Sequence, residues 1–495
     1  MPYNQPVLKH LACLDAQQTD RQVVAYFDMD RTLILGHSVL ALVWERVRNG
    51  NAGAAGLGRE ILANIEQRGN GQHYLNLYRS AVRTLQGTLE TELQELGDKA
   101  FTRSVATSIY REARMLVQRH KQLGHKVVIV SAATRYQVDP VARALGVDAV
   151  RCTQLVVKNG HMTGEIDGEI CYGEGKVAAA RRYGRSHRTP FKDAWFYSDS
   201  NDDLPLLKKV GHPVATNPSP ALAEYATRQR WPVLEFSSRG KPNIESVLRT
   251  ALMANTLLTT AAVGAASWLV SRSPTKATNQ MSRWLGDAGS LASGLNFKVS
   301  GAEHLESVRP AIFTFNHQSY LDAVVMARLL RHDFVAFCKQ EVASNRLLGP
   351  LLRKHGTIFI DRGGKNQSNC INQAKNSLRA GKSLMIAPEG TRSTTGELLE
   401  FKPGAFLLAK KLRVPIVPVV LHNVADALPK GKLLLRPATI RVTVLAPIKP
   451  EQLKDLRAAS YQLQQDYQQA LDQSLEFDTY HSTLQESQQP AAAYP

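Results

Sequence analysis

The chain has 495 residues, more than one hydrophobic core ordinarily uses, so two or three domains are expected. Its 43% apolar and 21% charged residues are those of a soluble globular protein and exclude a collagen-like, mostly disordered or polytopic membrane chain. The net charge of +18 sits in the C-terminal half: residues 241–457 carry 30 basic and 14 acidic groups, residues 1–240 carry 31 and 24, and residues 458–495 carry 0 and 5. Five scattered cysteines without a C-x-x-C pair exclude a disulfide framework and a zinc knuckle. No apolar core follows a basic start at the N-terminus, so no secretory signal is expected.

In chain order, Val23 to Phe27 and Val127 to Val130 are short apolar runs ending at Asp28 and Ser131, and both predict buried parallel strands. Between them, from about His37 to Gly124, the pattern is helical, as in an inserted cap. A strand over Ala194 to Tyr197 precedes Ser198 and Asp199, and the run from Arg230 to Phe236 closes a first domain over 1–240. Residues 241–296 are expected to be a linker holding an apolar helix. Thr250 to Ser271 carries no charge, and its Thr, Ser and Ala content leaves a spanning, an interfacial and a buried helix all open. A second domain over 297–450 has strands at Ala311 to Phe315, Ser383 to Ala387 and Ile416 to Leu421, and a helix with a disordered Gln-rich tail follows over 451–495.

Asp28-Met29-Asp30 places two carboxylates at a strand end, where one can attack phosphorus and the other can protonate the leaving oxygen. Crowded carboxylates need a cation, and Mg²⁺ suits oxygen ligands beside phosphate. Alone, the pattern is equally a turn or helix cap. Ser131, Lys176 in GEGK, and Asp199 and Asp203 in YSDSNDDLPLL follow in order. This set resembles the haloacid dehalogenase superfamily, in the phosphoserine phosphatase-like branch. The resemblance implies a Rossmann-like α/β domain with an inserted helical cap. It makes Asp28 the nucleophile and Asp30 the general acid and base, puts Ser131 and Lys176 on the phosphoryl oxygens, and gives a Mg²⁺ site of Asp28, Asp30, Asp199 and Asp203. His37 stands where phosphoserine phosphatases have an acidic residue, which weighs against serine specificity.

The strand AIFTF runs into Asn316-His317-Gln318-Ser319-Tyr320-Leu321-Asp322. With His317 in the loop before a helix, Asp322 can fix the imidazole tautomer while the other nitrogen takes a proton from a hydroxyl. A solvent-facing loop histidine is the ordinary alternative. Arg362 at a strand end, Glu389-Gly390-Thr391-Arg392 after SLMIA, and VPIVP at 414–418 complete a set that resembles the 1-acylglycerol-3-phosphate acyltransferase family over about 297–450. The resemblance implies an α/β glycerolphosphate acyltransferase domain. His317 is then the base with Asp322 as its partner, Arg362 with Glu389, Gly390, Thr391 and Arg392 forms the substrate-phosphate site, and the Pro418 region belongs to the acyl-donor surface. Glu389 cannot bind an anion and is expected to orient Arg392 or a backbone turn. Lys339 and Lys402 are assigned no more than help in positioning.

Together these readings predict a bifunctional enzyme. One half moves an acyl group from acyl-CoA or acyl carrier protein to lysophosphatidic acid, giving phosphatidic acid. The other hydrolyses a phosphomonoester, on a lipid or on a small molecule such as phosphoserine, unless it is a non-catalytic regulatory module. A peripheral or monotopic membrane attachment on the cytoplasmic face follows from the lipid substrate and the basic excess. RNA binding by the basic half lacks any supporting signature, so no nucleic-acid partner is expected.

Overall fold

A computed structural model describes residues 5–17, 21–50, 56, 71–237, 243–344, 348–360, 367–393 and 397–487. Its contacts divide the chain into two compact units, one built on residues 2–240 and the other on 241–477.

In the first unit, helix α1 (Gln5–Ala16) precedes strand β1 (Val24–Phe27), whose four residues are all buried. Helices α2 (Ser38–Arg48), α3 (Gly71–Arg83) and α4 (Glu90–Ala100) follow within the segment read as a cap. Helix α5 (Arg111–Gln122) packs against α1 and against β2 (Lys126–Thr134), so the last part of that segment belongs to the sheet domain. The chain continues through α6 (Arg135–Leu145), β3 (Ala149–Lys158), β4 (His161–Asp167), α7 (Glu174–Ser186), β5 (Trp195–Ser198), β6 (His212–Thr216) and β7 (Val233–Leu234). The sheet order is β4-β3-β2-β1-β5-β6-β7, parallel except for the β3/β4 pair. A parallel sheet buried on both faces needs near-continuous apolar strands, and β1, β2 and β5 meet that demand.

The second unit opens with two helices, α8 (Ile244–Ser271) and α9 (Pro274–Ser293), packed on each other. Residues 241–296, expected as a linker with one apolar helix, thus hold a second helix as well. Gly264 permits the approach, since a Cβ there would lie 2.5 Å from Met281 Sδ; Gly286 lets α9 approach the helix Asp322–Leu330, a Cβ there lying 2.6 Å from the Arg328 backbone nitrogen. Strands β8 (Leu295–Ser300), β9 (Ile312–Phe315), β10 (Phe334–Lys339), β11 (Ile358–Ile360), β12 (Ser383–Ile386), β13 (Ile416–His422) and β14 (Ala438–Val444) form a sheet in the order β11-β10-β12-β9-β13-β14-β8. Only the β13/β14 pair is antiparallel.

Along β13 alternate residues enter different cores. Val417, Val419 and Leu421 join Phe313 and Phe315 beneath α10 (Asp322–Leu330), while Ile416 and Val420 join Ile312 and Phe406 of α11 (Gly404–Leu412). The last helix, α12 (Leu456–Ser487), inserts Tyr467 into this second core. Its hydroxyl donates to the Thr314 carbonyl at 2.9 Å and accepts the Val419 N–H at 3.1 Å. The end of the Gln-rich tail, 488–495, lies outside the described residues.

Candidate active sites

In the first unit, β1 and β5 run in parallel register, Phe27 opposite Tyr197, so Asp28 and Asp199 leave adjacent strands at the same end. The Asp28 N–H donates to the Tyr197 carbonyl at 2.9 Å, which fixes the first turn past the strand. Lys176, in the first turn of α7, places Nζ 2.7 Å from Asp28 Oδ1 and 2.8 Å from Asp203 Oδ2, with all three side chains buried. Ser198 Oγ donates to the same Asp203 oxygen at 2.6 Å. Ser131 is buried on β2, two residues past Ile129, the register partner of Phe27. Asp30 turns toward the cap: its carboxylate accepts the Ser38 N–H at 2.9 Å and the Ser38 hydroxyl at 3.3 Å, at the start of α2. Asp28, Ser131, Lys176, Asp199 and Asp203 therefore share one end of the sheet, and Asp30 faces the cap helix.

The electrostatics are those of crowding. Burial pushes the Asp28 carboxyl up to about 7, with Asp203 and Asp30 adding to the shift and Lys176 opposing it. Burial and then Asp28 raise Asp199 well above the usual carboxylate range. Lys176, which burial alone would deprotonate, is instead held charged by Asp203 and Asp28. Arg31 reaches Asp199 at 3.3 Å from a left-handed backbone, φ 62°, whose carbonyl accepts the Asn217 side-chain N–H at 3.1 Å. Four carboxylates thus face two cations. Among the described residues no three acidic, histidine or cysteine side chains form a ready metal cage. The chemistry of the donor set, hard oxygens with uncompensated negative charge, nevertheless fits Mg²⁺.

Two side chains here carry no motif. Tyr74 of α3 stacks on Tyr172 with ring centroids 4.9 Å apart. Burial raises the Tyr74 hydroxyl pKa, and the negative charges of Asp30 and Asp28 raise it further. Burial lowers the pKa of His37, directly before α2, and Arg31 lowers it further against the opposing pull of Asp30.

In the second unit, buried β9 delivers Asn316, whose side chain donates to the Leu421 carbonyl at 2.9 Å and accepts the Leu421 N–H at 2.7 Å. That clamp sets the loop on which His317 stands. His317 Nδ1 lies 2.7 Å from Asp322 Oδ2, and the same oxygen accepts the N–H groups of Gln318 at 2.8 Å and Ser319 at 2.9 Å. Asp322 begins α10, where the helix dipole favours its charge. Its side chain is 1% exposed and that of His317 is 30%, so the pair has a buried anchor and an accessible ring. With Asp322 accepting from Nδ1, Nε2 carries the lone pair.

Ser319 is not a free nucleophile: its hydroxyl, fully buried, donates to the Leu428 carbonyl at 2.7 Å. Glu389 orients backbone, accepting the His317 N–H at 2.6 Å and the Leu399 N–H at 2.9 Å on its two oxygens. Burial pushes its carboxyl up to about 7 against those donors. Gly390, with φ 68°, makes the turn that brings the following residues back, and the Ser393 N–H donates to the His317 carbonyl at 3.0 Å. Thr391 is half-buried in that turn.

The Arg392 guanidinium lies 3.5 Å over the Tyr320 ring, with Nη1 buried and without a hydrogen-bond partner among the described residues. Lys430 donates to the Arg392 carbonyl at 2.8 Å. Burial lowers its pKa, and so do the positive charges of Arg392 and Lys339. Lys430 was missed in the sequence because its turn, ALPKGK, carries no motif. Pro418, expected on a donor surface, is buried inside β13. Arg362 lies outside the described residues.

Residues 25–208 match the family model of haloacid dehalogenase-like hydrolases, and a probable phosphatase of Mycobacterium tuberculosis is 32% identical over 255 residues, which are 49% of this chain and 84% of that protein. The chain belongs to the haloacid dehalogenase-like hydrolase family through its N-terminal half. Residues 296–422 match the acyltransferase family, so the hydrolase is fused to an acyltransferase domain. That domain is 37% identical over 168 residues to the 1-acyl-sn-glycerol-3-phosphate acyltransferase of Saccharomyces cerevisiae, covering 33% of this chain and 55% of the yeast protein. The solved 1-acyl-sn-glycerophosphate acyltransferase of Thermotoga maritima aligns at 20% identity with a TM-score of 0.38, over 47% of this chain and 97% of its own. The first matched segment contains Asp28, Ser131, Lys176, Asp199 and Asp203, and the second contains His317, Asp322, Glu389 and Arg392, while Lys430 lies beyond it.

Proposed function

We propose that the second unit acylates lysophosphatidic acid to phosphatidic acid, using acyl-CoA or acyl carrier protein as donor. One observation carries this reading: His317 is held by Asp322 at 2.7 Å on a loop that is bonded through Ser393 to the turn bearing Arg392. In the reaction Nε2 removes the proton of the acceptor hydroxyl, the oxygen attacks the thioester carbonyl, and the thiolate leaves and takes the proton back from the imidazolium. Asp322 stabilises that imidazolium. The orphan Arg392 Nη1 and the Lys430 ammonium receive the acceptor phosphate, with Arg362 assigned there by its motif.

The first unit hydrolyses a phosphomonoester through Asp28. Its carboxylate attacks phosphorus, Asp30 protonates the leaving oxygen, and a water then attacks the aspartyl-phosphate as Asp30 takes its proton. Mg²⁺, held by Asp28, Asp199 and Asp203, supplies positive charge to the phosphoryl oxygens when bound. Both oxygens of Asp30 accept from Ser38, which favours an acid and base role for it over metal ligation. The fusion favours a lipid phosphate as substrate. The Tyr74–Tyr172 stack beside the carboxylates favours the alternative, a small soluble ester.

Attachment to the cytoplasmic face of a membrane fits the helix pair. Helix α8 is long and apolar enough to cross a membrane, and it leaves Ile244, Leu248, Leu258, Leu269 and Val270 exposed. Arg272 caps its end, 5.2 Å from the Trp268 ring, as at a headgroup boundary.

Purified protein given lysophosphatidic acid, labelled acyl-CoA and Mg²⁺ tests both halves in one time course. Phosphatidic acid that converts to diacylglycerol in the wild type and accumulates in Asp28→Asn supports two consecutive lipid enzymes. Equal accumulation in both proteins rejects the lipid phosphatase and leaves the soluble ester. Acyl transfer that survives His317→Ala rejects the histidine mechanism.

A further inference from the structure

The first unit also contains a concavity of positive charge, distinct from the Asp28 cluster. It lies beside the first part of β3, between α6 and α7, and encloses about 580 Å³, within the usual range for small-molecule sites. Pairing with β4 begins only at Gln154, so the strand before it lacks β4 as a neighbour on that side. Arg135, Arg151 and Arg182 line the space with Asp139, Cys152 and Gln154. Arg135 Nε pairs with Asp139 at 3.3 Å, leaving two guanidinium charges unmatched within the lining. Arg151 is already positioned: its guanidinium sits 5.0 Å over the Tyr183 ring and donates to the Val150 carbonyl at 3.1 Å. A site with two net positive charges and planar donor forks matches a phosphate dianion.

The wall of this cleft is tied to the phosphoryl site. Cys152 is the register partner of Ser131, and the β2/β3 register slips between Ser131 and Thr134. Thr153 Oγ1 donates to the Ala132 carbonyl at 2.8 Å and accepts the Cys171 N–H at 3.1 Å, joining the Ser131 loop to the segment that leads into Lys176. Cys171 Sγ in turn contacts the Arg151 carbonyl at 3.6 Å. A ligand that pulls on Arg151 therefore acts on a strand that holds both Ser131 and the approach to Lys176.

We propose that this cleft is a second anion site that takes a dianionic phosphate monoester of nucleotide size and, through β3, tunes hydrolysis at Asp28. The binding claim stands alone; the tuning rests on the phosphatase reading above. The test uses the full chain, labelled adenosine monophosphate as probe and low salt, because exposed arginines are screened.

Equilibrium dialysis is run on Asp28→Asn, to prevent turnover, with and without the added pair Arg151→Gln and Arg182→Gln. A tenfold or greater loss of binding in the arginine variant supports the site. Equal binding in both, or none in either, overturns it. Hydrolysis of p-nitrophenyl phosphate by the protein with native Asp28 reads the coupling: adenosine monophosphate should change kcat, and the arginine pair should abolish that effect while basal rates stay within about twofold. Purely competitive inhibition that survives the arginine substitutions overturns the coupling and places the probe at the Asp28 centre. Absence of any hydrolysis would reject the phosphatase reading, and the dialysis result would still decide the site.

Discussion

The two reaction centres of this chain solve opposite electrostatic problems. Around Asp28 the fold buries four carboxylates against two cations, so its reactive groups are held far from their solution behaviour. Around His317 two buried carboxylates take backbone N–H donors, Asp322 also pairing with the His317 ring while its second oxygen has no partner among the described residues, and the cations Arg392 and Lys430 face each other nearby. On the reading proposed above, the first imbalance suits a metal cation and the second a phosphate anion.

That contrast can be broken by experiment. The largest effect is expected from Asp28→Asn, a loss of hydrolysis of at least about 10⁴-fold with acyl transfer unchanged; chelation of divalent metal should reproduce this split, and equal loss of both activities would refute separate centres. His317→Ala should lower acyl transfer by about 10²–10⁴-fold while leaving hydrolysis intact. Lys176→Met removes the cation shared by two buried carboxylates and should destabilise the first unit by about 3–5 kcal/mol, read as a lower melting temperature of that transition alone. Lys430→Met is expected to raise KM for lysophosphatidic acid about tenfold with little change in kcat; a fall in kcat at constant KM would show that Lys430 does not bind the acceptor.

A further effect is one of pH. A carboxyl that titrates higher folded than unfolded favours the folded state while protonated, so the stability contributed by Glu389 is complete below about 4.5 and is lost as pH rises through about 7. The second unit should lose on the order of 2–3 kcal/mol from this group across that window. Glu389→Gln should flatten the slope, and an unchanged slope would assign it to other groups.

How much of this was legible in the sequence follows from locality. Asp28, Ser131, Asp199 and His317 each follow or end an apolar strand, and a strand announces its own C-terminal end. Arg31, Tyr74, Tyr172 and Lys430 reach the sites through tertiary folding, and no local pattern marks them. Helix α9 escaped because its buried face is built from Ala277, Ser282, Gly286, Gly289 and Ser290, small residues that pack by close approach rather than by an apolar stripe. The extent of the cap was overdrawn for a related reason: α5 is as helical as the cap helices, and only its packing against β2 assigns it to the sheet domain.

Tyr467 bears on where the acyltransferase ends. The matched family segment stops at residue 422, yet the hydroxyl of a tyrosine 45 positions later is bonded to Thr314 and Val419, on the two strands that carry the His317 loop and its Asn316 clamp. A truncation at residue 450 would keep every motif and remove the bolt that joins those strands. Such a fragment should be inactive without having lost a single reacting group, and variation in the C-terminal helix is a source of functional change that inspection of motifs would overlook.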